Sequence, residues 1–173
     1  MREELDEYLC KTYPKMFEQR HMSEMVTCMC WGFACGDGWF NIIEQLCGNI
    51  QHHIDWKEKQ HNWSVEWNKE HPDEPREISE LVPQVVVTQV KEKFGTLRFY
   101  YDGGDDYISG MVTMAESMSG VTCEACGASA KTSGVDPEKG ITGWVHTTCQ
   151  PCQDKRKKEQ SEFVVDSIRN DIL

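Results

Sequence analysis

The 173-residue chain contains no apolar run near the roughly 20 residues that cross a bilayer, so no helical membrane span is expected. Its first residues, Met1 to Asp6, are charged and carry no signal-peptide core, so the expected setting is the cytoplasm. Internal repeats and low-complexity tracts are missing, which sets aside a solenoid or a disordered linker. Also missing are a phosphate loop, a dinucleotide-binding glycine fingerprint, a His-Glu-x-x-His helix and a Ser/His/Asp order in motif context. Catalysis therefore has no motif behind it, and an enzyme acting on a nucleotide stays open only as a minor reading. Positive charge is scarce: 18 Lys and Arg stand against 29 Asp and Glu, for a net charge of −11. Residues 1–80 contribute −8 of this, residues 81–122 −2 and residues 123–173 −1. Such a surface repels phosphate backbones and disfavours broad non-specific nucleic-acid binding.

What is present reads as a folded globular chain: 39% of the residues are hydrophobic and six are tryptophan. Nine cysteines is a high count. In a reducing compartment, clustered cysteines are metal ligands or buried apolar groups before they are disulfides. The pattern Cys123-x-x-Cys126, 22 further residues, then Cys149-x-x-Cys152 is that of two metal knuckles. Two intervening residues let both thiolates of a knuckle reach one ion, and two knuckles complete a tetrahedral shell. Gly127 supplies the turn that points amides at sulfur. One structural Zn²⁺ is expected, because four protein ligands leave no position for the water that hydrolytic zinc needs. It would staple residues 121–152, which could not fold alone. His146 reads as a neighbour of the site. A redox role would leave the second Cys-x-x-Cys pair unexplained.

Upstream, residues 2–11 read as a helix stopped near Pro14, followed by a short helical piece from Pro14 to His21. Asp37 is a candidate N-cap for a long helix through Ile43, Leu46, Ile50 and Trp67, ended by His71–Pro75. Residues 68–80 read as an exposed acidic loop. Pro83–Tyr101 turns to β-branched alternation, and Gly95 marks a hairpin turn. Asp102–Asp106 can cap a helix whose stripe is Ile108, Met111, Val112, Ala115 and Met118. A last helix is expected from about Cys149 to Ile168, with Phe163, Val164 and Ile168 on one face. The fold class is thus α+β: a helical N-terminal half, a central β-hairpin, and a C-terminal four-cysteine zinc ribbon followed by a helix. The expected division is an α+β core over residues 1–120 and a zinc-ribbon module over residues 121–173.

Two further surfaces are candidate ligand or partner sites. The loop with Trp31, Phe33, Asp37 and Trp39 offers aromatic faces and free amides before a helix, or else is a turn whose rings fill the core. The hairpin bears Lys91, Lys93, Arg98 and Tyr100, a basic and aromatic patch for a phosphate or an acidic partner. Alternatively it is a solvated hairpin with Phe94, Leu97 and Phe99 buried. Lys155–Lys158 allows a small nucleic-acid contact or is a solvated helix face. Cys28, Cys30, Cys35 and Cys47 fit no standard knuckle and read first as packing. Asp102, Asp105 and Asp106 allow weak Mg²⁺ binding or simple capping.

The segments Gly32–Phe40, Leu46-Cys47, Lys91–Tyr100, Cys123–Gly127, and Gly143-Trp144 with Cys149 and Cys152 stand in that order. In this the chain resembles a group of small uncharacterised proteins of tailed bacteriophages and prophages, over roughly residues 30–152. The resemblance implies an accessory role in a bacterial cytoplasm. The combined expectation is a non-enzymatic protein that blocks or sequesters a host protein or a small anionic nucleotide. A zinc-ribbon nucleic-acid binder or transcription regulator is the alternative.

Overall fold

The computed structural model describes residues 1–136 and 138–159. The chain is α+β, as its patterning indicates. Helix α1 (Glu3–Thr12) is followed by 3₁₀ turns at Glu18–His21, Met29–Trp31 and Asp37–Trp39, with a two-residue strand β1 (Phe33–Ala34) among them. Helix α2 (Phe40–Glu70) comes next, then the hairpin β2 (Val86–Lys93) and β3 (Thr96–Asp102), and helix α3 (Asp106–Ser119). A second hairpin, β4 (Lys131–Asp136) and β5 (Gly140–Thr148), leads into helix α4 over residues 150–159. The stripe expected at Phe163, Val164 and Ile168 lies outside the described residues.

The central sheet has the order β1-β2-β3, parallel between β1 and β2 and antiparallel in the hairpin. Its valines are not in simple alternation: Val85, Val87 and Val90 are all fully buried. A bulge at Thr88, between the pairs Val87↔Tyr101 and Gln89↔Tyr100, reconciles this with a period of two. One extra residue flips the remaining strand, so Val90 returns to the core face. The carbonyl freed at Thr88 accepts the Thr27 hydroxyl at 3.2 Å. The β3 edge is covered by α3, where Ser119 Oγ and Glu116 Oε1 accept the Leu97 and Phe99 amides at 2.8 and 3.0 Å.

Helix α2 has 31 residues, about 46 Å of axis. Its first half buries Ile43, Leu46, Cys47, Ile50 and Ile54; beyond them Ser64 is its one buried residue. Residues 68–70 end this helix, and the acidic segment after it is exposed and irregular, as its composition indicates; it is strapped along that outer half. Asn68 exchanges two amide hydrogen bonds with the Arg76 backbone (2.9 and 2.7 Å), and His61 Nδ1 donates to the Ser79 carbonyl at 2.7 Å. The Arg76 guanidinium lies 4.7 and 4.2 Å from the Trp63 and Trp67 ring centres.

Asp37 is not the cap of α2. The residue before that helix is Trp39, and the Asp37 carboxylate instead takes the Arg2 side chain at 2.9 Å and the Arg2 amide at 2.8 Å. Asp105 does cap α3, accepting the Ile108 amide at 3.0 Å, and its other oxygen accepts from His53 Nε2 of α2 at 2.8 Å. Burial alone would push this carboxyl up. The hydrogen bonds from His53 and Ile108 outweigh burial and hold it below its ordinary 3.8.

Stability from Asp105 is therefore present above pH 3.8 and is lost as pH falls through the lowered folded value. Asp105→Ala should cost about 1–2 kcal/mol at neutral pH, as for other lost caps. Asp105→Asn keeps a capping oxygen and loses only the carboxylate that accepts from His53, so its deficit should close in acid. Thermal melts across the acid range check this; a deficit that persists at low pH would rule that contact out as its source.

Candidate metal centre

The first knuckle follows α3 directly, and the second ends β5. Sulfur atoms of Cys123, Cys126, Cys149 and Cys152 all lie within 4.8 Å of one another, with 3.6 Å between Cys126 and Cys149. Four ligands thus meet at one point that can hold a metal ion, with Cys123 buried and Cys126 exposed. Burial alone would push the Cys123 thiol up, but the amides of Cys149, Cys126 and Ala125 point at its sulfur and bring it down to about 7. The Cys152 thiol is pushed up to about 12, first by its hydrogen bonds with the Cys126 and Cys149 sulfurs. One sulfur ionises readily at the expense of its neighbours. A cation bound among the four sulfurs would favour their thiolate forms.

The knuckle rests on the glycine-rich loop before α2. Gly38 N–H donates to the Glu124 carbonyl at 2.7 Å, Gly36 N–H to Glu124 Oε1 at 2.9 Å, and Trp39 Nε1–H to the Thr122 carbonyl at 2.8 Å. A Cβ on Gly38 would fall 2.1 Å from the Cys123 carbonyl oxygen and 2.5 Å from the Gly127 nitrogen. Gly127 is part of the same approach: its φ is +78°, and a Cβ on it would lie 3.1 Å from the Gly38 carbonyl oxygen. The ribbon is also tied to the central hairpin. Buried Thr147 donates to the Gly95 carbonyl at 2.6 Å, and Thr132 Oγ1 lies 2.8 Å from Thr147 Oγ1.

The other candidate residues are distributed unevenly. In the Trp31–Trp39 loop, Trp39 is fully buried and Phe33 is 3% exposed, so both rings fill the core; Trp31 is 70% exposed. Arg98 folds back, donating to Thr96 Oγ1 and the Leu97 carbonyl at 2.7 Å each, with Glu116 at 3.9 Å. The Lys91 ammonium sits 5.3 Å from the Tyr100 ring centre. Leu97 and Phe99 are buried, but Phe94 is not: it is 59% exposed, because it occupies the turn itself.

Lys155 reaches Glu159 at 3.8 Å, and Arg156 lines a cavity with Glu124 beside the cysteines. Cys28, Cys30, Cys35 and Cys47 form no metal-ligating group among the described residues: Cys30 donates to the Thr27 carbonyl, and Cys47 is in the core. Burial pushes the Cys35 thiol up to about 12. His146 stays outside the cluster, its Nδ1 donating to the Trp144 carbonyl at 3.0 Å.

No family model matches the chain, and no curated protein or solved structure is significantly similar to it. Function must then be argued from the site itself.

The Gly38 contact can be tested directly. Gly38→Ala should lower stability by about 3 kcal/mol and loosen metal retention, because backbone rather than a flexible side chain must give way. Gly110→Ala in α3, where a Cβ meets nothing within 4 Å, should raise stability by up to about 1 kcal/mol. Urea titrations and metal release to a chromogenic chelator measure both. A Gly38→Ala protein as stable as the wild type would show that the knuckle does not depend on this approach.

Proposed function

We propose that this chain is a non-enzymatic binding protein of the phage accessory type, held together by one structural zinc ion, that blocks or sequesters a component of a bacterial host. The supporting observation is what the cysteine cluster does in the fold. Its four sulfurs close on one another, and its backbone clasps Gly36–Trp39 while the attached ribbon clasps the β2–β3 turn. Soft thiolates in a four-sulfur set favour zinc. Two sulfurs bound to one tetrahedral zinc lie about 3.8 Å apart, close to the 3.6 Å between Cys126 and Cys149. A closed shell leaves the metal no substrate position, so its work is to position surfaces.

Of the two candidate surfaces, the Trp31–Trp39 loop gives Phe33 and Trp39 to the core. The hairpin tip keeps its aromatic and basic side chains outside, against the ribbon. Binding is therefore assigned to the hairpin and ribbon. The phage setting rests on the order of the motifs alone.

Native mass spectrometry of protein purified from its host setting tests this reading. The expected mass carries one zinc per chain, and chelation should remove the metal and the cooperative thermal transition together. Nucleotides incubated with the protein should be recovered with unchanged masses. Absence of zinc, or turnover of a nucleotide, would overturn the assignment.

A further inference from the structure

The turn between β2 and β3 runs against its own local preference. Phe94 has φ +53° and Gly95 φ +76°. These are the left-handed positions of a two-residue hairpin turn, for which Asn-Gly is the favoured pair. A bulky residue at positive φ is strained, and strain of this kind gathers at functional sites. Burial does not offset it here, because the ring is 59% exposed. Facing it, Trp144 of β5 is 78% exposed and Ile141 is 64% exposed. Together they line a cleft of about 290 Å³, joined by Lys93 and Glu92. Glu92 is turned into its own hairpin, accepting the Gly95 amide at 2.6 Å. The Lys93 ammonium stands 5.5 Å from the Phe94 ring centre. The two walls are fixed to each other: the Gly95 carbonyl takes the Thr147 hydroxyl, and a Cβ on Gly95 would meet Thr132 and Val145 at 3.0 and 3.2 Å.

Charge selects the occupant. Residues 91–100 hold three basic side chains and one acidic one, in a chain of net charge −11. Lys91 pairs across the ladder with Arg98, and Lys93 with Thr96, so the three cations share one face. Lys91 and Lys93 stand two residues apart, about 7 Å along a strand. Lys93 lines the cleft and Lys91 follows it on the same face of β2, so the two lysines form a short row that starts at the cleft. A row of cations beside an aromatic cleft fits an extended polyanion that carries flat rings. The cleft volume lies at the small end of ligand cavities, room for one ring.

We propose, on the binding-protein reading above, that this cleft takes an unpaired base of a single-stranded nucleic acid. Phe94 and Trp144 stack on the base, and Lys93 and Lys91 follow the phosphates. The acidic surface of residues 1–80, at −8, discourages the strand from spreading over the helical half.

The test uses the full zinc-loaded chain, a short fluorescently labelled oligothymidylate and anisotropy at low salt. The expected result is saturable binding that weakens as salt is added. Phe94→Asn and Trp144→Ala should each lower affinity about tenfold, the scale of one lost stacking contact. Phe94→Asn should at the same time raise the unfolding temperature, because Asn suits that turn position. Weaker binding by a more stable protein is not a folding defect.

No binding at low salt, or binding by both variants as tight as by the wild type, would overturn the proposal. Displacement by thymidine monophosphate as effective as by the strand would also overturn it, making a free nucleotide the ligand. Self-association that Trp144→Ala abolishes, without strand binding, would do the same and make a second copy the occupant. The mass of the oligonucleotide afterwards separates this proposal from the reading beneath it. An intact, unbound strand sinks only the base-binding cleft, whereas a shortened strand sinks the binding-protein reading.

Discussion

Two backbones meet at Gly38, and much of the molecule depends on how closely they do. The first cysteine knuckle needs its peptide groups arranged around sulfur, and its turn is closed by the Gly127 amide donating to the Cys123 carbonyl at 2.8 Å. Gly38 lies against those groups with no room for a methyl. The same loop delivers Trp39, fully buried, into the core at the start of α2, and its indole is tied to the Thr122 carbonyl. Metal site, core and long helix therefore share a single joint. A distortion of the knuckle moves Trp39, and a cavity at Trp39 loosens the knuckle. Groups coupled in this way do not contribute additively to stability.

The parts of this architecture that could be read from sequence are those written in local periods. The paired Cys-x-x-Cys spacing marks four ligands, and the structure brings all four sulfurs together. β-Branched alternation marks β2, and the apolar spacing from Ile43 to Ile54 marks the buried half of α2. Features made by contacts between distant segments left no such trace. The two-residue strand β1 is too short for any period and exists because Phe33 pairs beside Val90. The bulge at Thr88 is visible only as an apparent break in the valine alternation. Asp37 has the chemistry of a cap, but Arg2 holds it more closely than any amide of α2 does. Phe94 looks apolar and so looks buried, until the turn geometry places it outside. The glycines at 36 and 38 resemble a ligand loop by composition, whereas their ligand is the protein's own knuckle.

Electrostatics divide the surface in the same uneven way. Where acid is buried it is answered. Asp6, 9% exposed, takes Arg20 Nε at 2.9 Å, and Arg20 also reaches the Cys30 carbonyl at 2.8 Å. This network crosses from α1 to the turn before β1, and removing one partner would strand a charge in low dielectric. Lys91 and Lys93 of the β2–β3 hairpin are handled differently. They are held beside aromatic rings at its tip and outer face, as Lys91 is over Tyr100 and Lys93 over Phe94. Cations kept next to exposed rings in an acidic chain remain available to a ligand; cations folded into ion pairs do not.

The cysteine cluster and the cleft are linked through the ribbon. The β4–β5 hairpin has few buried side chains of its own; Val145 and Thr147 are its buried residues among those described. Two strands with so little core are marginal in isolation. Their geometry comes from the cysteines that bracket them and from Thr147 and Thr132 docking beside the Gly95 turn. Without that docking Trp144 has no fixed relation to Phe94, and the cleft loses a wall. A ligand that spans both walls would bind only the docked ribbon, and so would stabilise the arrangement that brings the four sulfurs together. Linkage would make this reciprocal: a metal ion bound by the cysteines would tighten the ligand by the same factor that the ligand tightens the metal. A four-cysteine cluster can in this way set the affinity of a surface that it never touches.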